Sequence, residues 1–166
     1  IFAVSSIRLD EAQSLFQTNR DVGGILYLVG QDVHVPLYHT LLHFWQLFLG
    51  QDIFVARMMS LVFFVGTIGM TYLAAAYAFG RRSIGLFAAL LVTLSPFMNW
   101  YGSEARMYTM LSFFAVLHAY IFLHLLKKPA AWKWVAWTLV AILGVYTHYF
   151  FIFVLLSELI ATIALR

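Results

Sequence analysis

The 166-residue chain contains no cysteine. Disulfides and thiolate metal sites are therefore excluded, and cysteine usage carries no information on redox compartment. Charge is also scarce. Asp, Glu, Lys and Arg make up 10% of the residues, against 63% hydrophobic residues, where a soluble domain has about a quarter and about a half. A chain with a mean hydropathy of +0.88 lacks the polar surface that water requires, and it reads as an all-α integral membrane protein. The formal charge of +3 does not indicate nucleic acid as a partner, because the distribution of the basic residues accounts for it better. No methionine and no signal peptide open the chain, and Arg166 follows directly on an apolar run. The expectation is a piece of a longer protein, with one more helix before Ile1 and several after Arg166.

Two parts are expected. Residues 1–52 form an outer loop with interfacial helices, and 53–166 form a polytopic transmembrane helix bundle. The longest stretch too polar for lipid is 8–38, RLDEAQSLFQTNRDVGGILYLVGQDVHVPLY. Within it, 12–30 suit short helices lying along the membrane surface. Pro36 suits a first helical position. The segment after it carries Leu37, Leu41, Leu42, Phe44, Trp45 and Phe48 on an apolar side, with His39, His43 and Gln46 supplying polarity. About fourteen residues reach only ~21 Å, short of the ~30 Å of hydrocarbon, so this is an interfacial amphipathic helix.

Spans are expected at about 53–79, 83–101, 107–126, 131–147 and 149–165. Ser95, Pro96, Trp100 and Tyr101 close the second, and Lys127, Lys128 and Pro129 the third. As a single helix, 131–165 would be ~50 Å long, so a break is placed at 146–149, although no Gly-Pro pair forces it. Short loops rich in Lys and Arg belong on the cytoplasmic side. That rule puts Arg81, Arg82, Lys127, Lys128, Lys133 and Arg166 inside. Asp10, Glu11, Asp21, Asp32, Asp52 and Glu104 then gather on the outer face, and only Glu158 is left in mid-span.

Each candidate group has two readings. Asp10 and Glu11 are either solvated loop acids, with Glu11 suiting the dipole of a first helical turn, or a carboxylate that takes a proton from an incoming hydroxyl. Asp32 and His34 could bind a metal or hold a phosphate, but zinc wants three or four ligands. Ser103, Glu104 and Arg106 read either as a capped helix start with Arg106 snorkelling to the interface, or as a second carboxylate beside the 8–38 loop. His148 belongs to an aromatic belt or to the site. His118 and His124 read as structural. Glu158, an acid in mid-membrane, is costly, and a partner on a helix outside this piece is expected.

In order along the chain stand LDEAQSLF, DVHVPLYH, ARMMS, LSPFMNWYGSEARMY and YTHYFF. Together they resemble the polytopic C-type glycosyltransferases related to protein O-mannosyltransferases and lipid A aminoarabinose transferases, nearest the dolichyl-phosphate-mannose–protein mannosyltransferase-like branch. The resemblance covers almost all of the chain. Val35 departs from it, standing where the family pattern has the first of two prolines, which should loosen the turn without removing a chemical group.

The resemblance implies an enzyme, a hexosyl or pentosyl transferase of the cytoplasmic membrane. It would move a sugar from a polyprenyl-phosphate donor to a hydroxyl of a lipid, protein or polysaccharide acceptor on the extracytoplasmic side, usually with inversion. It implies Asp10 as general base with Glu11 beside it. Asp32, His34, Arg57, Glu104, Arg106 and His148 would surround the substrates, with Arg57, Arg106 and His34 toward the phosphate. Partial burial against the membrane should raise the base toward a useful pKa. Some members use a divalent metal, and no complete ligand set is visible here. Acceptor specificity is expected in the missing C-terminal part. The rival classes are a secondary transporter, which needs polar residues near mid-bilayer, and a non-catalytic membrane scaffold.

Overall fold

The structure is a computed structural model that describes residues 7–32 and 34–164. All regular structure among them is helical. The outer part holds α1 (Leu9–Thr18), α2 (Val22–Gly30) and α3 (Pro36–Leu49). Each has a local reason to start. Glu11, third in α1, reaches back to accept the Arg8 backbone N–H at 3.2 Å, which is half of a capping box. Asp21 caps α2 by accepting from the Gly24 N–H at 3.2 Å. Pro36 opens α3 at a position where its missing N–H costs nothing. Gly50 follows α3 at φ +109°, a region other residues avoid.

α4 (Ile53–Phe79) begins at Asp52, whose carboxylate accepts the Phe54 N–H at 2.6 Å, and stops at Gly80, left-handed at φ +68°. It and α7 (Tyr108–Lys127) are each long and apolar enough to cross a membrane. The second expected span is instead two helices, α5 (Arg82–Leu94) and α6 (Pro96–Gly102), bent by 62°. Pro96 has no N–H to continue the earlier ladder and crowds the turn before it. Ser95 is extended and accepts the Met98 N–H through its hydroxyl, so a new helix begins there. The pair makes a third crossing if its halves count as one span. α8 (Ala131–Thr147) and α9 (Ile152–Ala164) are apolar but shorter, with 17 and 13 residues, about 26 and 20 Å. Between them lies a 3-10 turn, Tyr149–Phe151. His148 makes this break. Its backbone is extended, and its Nδ1 accepts the Phe150 N–H at 3.1 Å.

The packing inverts the usual polarity. Glu11, Ser14, His39, Arg57, Ser60, Thr109 and His118 are at most 2% exposed, while Leu86, Phe87, Leu90 and Leu94 on α5 and Leu159, Ile160 and Ile163 on α9 are half exposed or more. An apolar outer face this broad suits lipid. An apolar cluster of Tyr38, Leu42, Ala56, Met59, Ala105, Met107 and Met110 ties α3, α4 and the start of α7 together beneath the outer loop.

α4 and α5 approach closely at Gly85, where a Cβ would lie 2.7 Å from the Tyr72 carbonyl oxygen and 2.9 Å from the Ala76 Cβ. Small residues are what allow such contact between apolar helices. Gly85→Ala is expected to lower stability by about 1–3 kcal/mol through this overpacking, read as a lower thermal midpoint in detergent. Gly69→Ala, which meets nothing within 4 Å, should not.

Candidate active site

The centre of the outer loop is one carboxylate. Glu11 is fully buried. Arg57, on the second turn of α4, donates to it from Nε at 2.8 Å and from Nη2 at 2.7 Å. The Ala105 N–H donates to the same carboxylate at 3.0 Å and the Arg8 N–H at 3.2 Å. Burial alone would raise this carboxyl, but the bonds from Arg57, Ala105 and Arg8 outweigh it and hold the pKa below its ordinary value. Asp10, one residue earlier, is exposed, and its carboxylate makes no hydrogen bond among the described residues.

Arg106 lies across the start of α1. Its Nη1 donates to the Asp10 carbonyl at 3.2 Å and to the Ser14 hydroxyl at 3.3 Å. Its Nη2 lies 3.4 Å from His34 Nε2. Arginine can only donate, so Nε2 accepts and His34 carries its hydrogen on Nδ1, 3.0 Å from the Asp32 carboxylate. Asp32 is fixed in turn by Gln13 and Gln17 of α1, at 2.8 and 3.2 Å. The Arg106 carbonyl accepts the Ser60 hydroxyl of α4 at 3.2 Å. The link 103–107 is thus bolted to α1, to α4 and to the loop before α3.

His148 reaches the same region from the α8–α9 turn. Burial lowers its pKa first, and the charges of His34 and Arg106 lower it further. His39 of α3 packs edge-on against His34, ring centroids 5.8 Å apart. It is wholly buried, and burial with the neighbouring His34 takes its pKa down to about 4. On the other flank Glu104 pairs with Arg8, whose guanidinium lies 3.8 Å over the Trp100 ring. Burial raises the Glu104 carboxyl, and Glu11 and Asp10 push the same way against Arg8 and Arg106.

The eight residues singled out in the sequence therefore converge, but their environments divide them. Asp10 faces water, so the partial burial expected of the base falls on Glu104 instead. Glu11 has its lone pairs taken up by donors and suits an anchor better than a base. Arg57 is 2% exposed and turned to Glu11, not toward an open phosphate site. Arg106 does not snorkel: it is 6% exposed. Ser103 does not cap α7; its hydroxyl closes α6 on the Trp100 carbonyl at 2.8 Å. Among the described residues no three His, Asp or Glu side chains converge as a divalent metal would need.

Glu158 finds its partners inside this chain. His118 Nδ1 lies 2.9 Å from one carboxylate oxygen, and Trp137 Nε1 donates to the other at 2.9 Å. Arg8, Ser14, Ser60 and His39 were missed as parts of the site. Arg8 abuts the LDEAQSLF motif and Ser14 lies inside it, one helical turn after Asp10, so these two carried a local signal. Ser60 closes ARMMS and His39 closes DVHVPLYH, so they carried the same kind of signal.

In comparisons with known proteins, no family model matches the chain, and neither does any curated protein or solved structure.

Two outcomes follow from this geometry. Glu11→Gln should cost about 3–5 kcal/mol, because it leaves Arg57 buried without its counter-charge. Asp10→Asn should change stability by no more than about 0.5 kcal/mol. Denaturant titration in detergent measures both. His39, with a folded pKa near 4 against an ordinary 6.5, contributes stability that is complete above pH 6.5. It is lost as the pH falls from 6.5 through 4, because the unfolded chain takes up the proton first. Thermal midpoints across that window should fall, and fall less in His39→Leu.

Proposed function

We propose that the chain is the outer loop and the helices following it of a membrane glycosyltransferase of the C-type resembled by its motifs. It moves a sugar from a polyprenyl-phosphate donor to an acceptor hydroxyl on the extracytoplasmic side, with inversion. The observation that carries this reading is the pairing at the start of α1. The exposed Asp10 carboxylate belongs to the residue whose backbone carbonyl, with Ser14 and His34, fixes the Arg106 guanidinium.

In this reading the acceptor oxygen forms a bond to the anomeric carbon and its proton passes to Asp10. The bond from the anomeric carbon to the phosphate oxygen breaks, and its electron pair leaves with the phosphate. One carboxylate suffices for a displacement with inversion. The leaving group is an anion, so preorganised donors matter most. Arg106 and the imidazole of His148 supply them, and His34 holds the Arg106 guanidinium in place. Asp32 orients His34, Arg57 acts through Glu11, and Glu104 with Arg8 closes the other flank. An open apolar groove of about 350 Å³, lined by Leu26, Pro36, Leu37, Thr40, Ile142, Leu143 and Tyr146, supports the lipid half of the donor. It begins two residues from His34 and two from His148.

A secondary transporter is the second reading. It is favoured by the bent α5–α6 pair and by the polar triad of His118, Trp137 and Glu158 among apolar helices. The triad, however, is closed in by Phe151 and Trp137.

Full-length protein in proteoliposomes should transfer sugar from a polyprenyl-phosphate donor without solute flux. Asp10→Asn should lower kcat about 10²-fold or more with little change in KM. Unchanged turnover removes Asp10 from the mechanism, and loss in Glu104→Gln alone would move the base to Glu104.

A further inference from the structure

Another cavity lies away from this site. About 470 Å³ opens between the C-terminal end of α1 and the outer face of α3, within the usual size of small-molecule sites (about 300–1,000 Å³). Its inner wall is two side chains of α3 three residues apart, His43 and Gln46, which therefore share a helix face. Both are oriented by Thr18. The Thr18 hydroxyl donates to Gln46 Oε1 at 3.0 Å. The one Thr18 hydrogen is also within reach of the Ser14 and Leu15 carbonyls, at 3.0 and 3.2 Å, so the amide turns one polar end to Thr18 and leaves the other without a partner among the described residues, although Gln46 is only 8% exposed. His43 Nδ1 lies 2.9 Å from the Thr18 carbonyl. A carbonyl can only accept, so Nδ1 carries the hydrogen and Nε2 is left as a bare acceptor.

The wall thus presents an unpartnered amide end beside an acceptor. A hydroxyl group is the complement of that pair, since it accepts and donates at once. The rim points the same way. Asn19 and Gln51 offer two more amides, and Arg20 and Asp21 bring one charge of each sign, so the cavity has no net attraction for an anion. Leu15 and Leu47 add apolar surface to the lining, which suits the carbon face of a sugar ring. A lipid chain would leave the amides unpaired, and a phosphate would meet Asp21.

We propose that this cavity is a carbohydrate-binding subsite for a neutral, hydroxyl-rich ligand, read by Gln46 and His43. Its relation to the transfer site rests on the glycosyltransferase reading. α1 runs from Asp10 to Thr18, roughly 12 Å at its rise per residue, so a bound sugar lies within one or two further sugar units of the proposed base. The donor's phosphate and lipid are accommodated elsewhere, which leaves this cavity to the acceptor. The acceptor is then a glycan or glycolipid, and part of its recognition lies in this loop.

The test is calorimetric titration of the full-length protein in lipid nanodiscs with mannobiose, maltose and chitobiose, and with inorganic phosphate for comparison. At least one disaccharide should bind saturably, and phosphate should not compete. Gln46→Leu removes the amide and leaves the Thr18 hydroxyl its Ser14 carbonyl acceptor. It should weaken binding about tenfold or more, the equivalent of one or two hydrogen bonds. Gln51→Ala, at the exposed rim, should weaken it a few-fold without touching the inner wall. Binding of none of the three sugars, competition by phosphate, or unchanged affinity in both variants overturns the proposal. Sugar transfer is measured separately. A protein that binds disaccharide but transfers nothing keeps the subsite and loses the transferase reading; one that transfers without binding does the reverse.

Discussion

The ion pair between Glu11 and Arg57 is the constraint on which the outer half of the molecule depends. Two charges so deeply buried are stable together only when the geometry is close and the remaining lone pairs are filled. Here both conditions hold. The guanidinium meets both carboxylate oxygens, and two backbone N–H groups take up what is left. An exposed pair would contribute at most about 1 kcal/mol; breaking a buried one costs several times that. One carboxylate therefore holds three separate pieces of chain. It fixes the start of α1 onto α4, and through Ala105 it draws in the link before α7. Arg106 follows Ala105, so its contact with the Asp10 carbonyl is a consequence of the same anchor.

The polarity of the packing supports a lipid environment and explains how the helices hold together there. In lipid, apolar surface gives no drive to associate, so close packing and hydrogen bonds between helices take over. The bonds sit where that argument needs them. Trp45 of α3 donates to the Val55 carbonyl of α4 at 2.8 Å, Ser60 of α4 to the 103–107 link, and the triad of His118, Trp137 and Glu158 joins α7, α8 and α9. The last matters for His148. Phe151 packs edge-on against His118, ring centroids 5.3 Å apart, and sits so close to Gly144 that a Cβ there would lie 2.3 Å from its ring. The turn carrying His148 is seated on that contact.

Helices bounded by local chemistry were legible in the sequence. α4 occupies 53–79 because an apolar run lies between an aspartate cap and a left-handed glycine, and α3 starts at Pro36 for a reason visible in one residue. The α8–α9 break was legible only through length, since a 35-residue helix is too long for a bilayer. The residue that makes it, His148, works as a cap through its side chain. The bend at Ser95 was visible in composition but not in angle. What no reading along the chain could supply was the pairing of Glu11 with Arg57, 46 residues apart, or of Glu158 with His118, 40 residues apart. Such contacts depend on which helix faces which, and apolar periodicity is weak evidence for that when every outward face is apolar. For the same reason Arg106 read as a snorkelling residue. At the end of a span that is the default, and only the arrival of α1 above it makes burial possible.

Adjacent carboxylates on a helix face directions about 100° apart, and this separates two roles within one dipeptide. Once Glu11 is turned inward to Arg57, Asp10 must turn outward, and its backbone carbonyl is left to meet Arg106. Exchanging the two residues would put the shorter side chain toward Arg57, one methylene short of the bidentate contact, and the longer one into solvent. The order Asp then Glu is therefore a physical requirement of the site. The buried acid fixes α1 with low freedom, and the exposed acid keeps its lone pairs free of protein donors. In the transferase reading the same anchor sets the spacing of base and cation. Arg106 is held by the carbonyl of the residue that carries the base, so the two move as one body. Charge developing on a departing phosphate then meets a donor placed before the reaction begins, which is the condition under which electrostatic stabilisation is most effective.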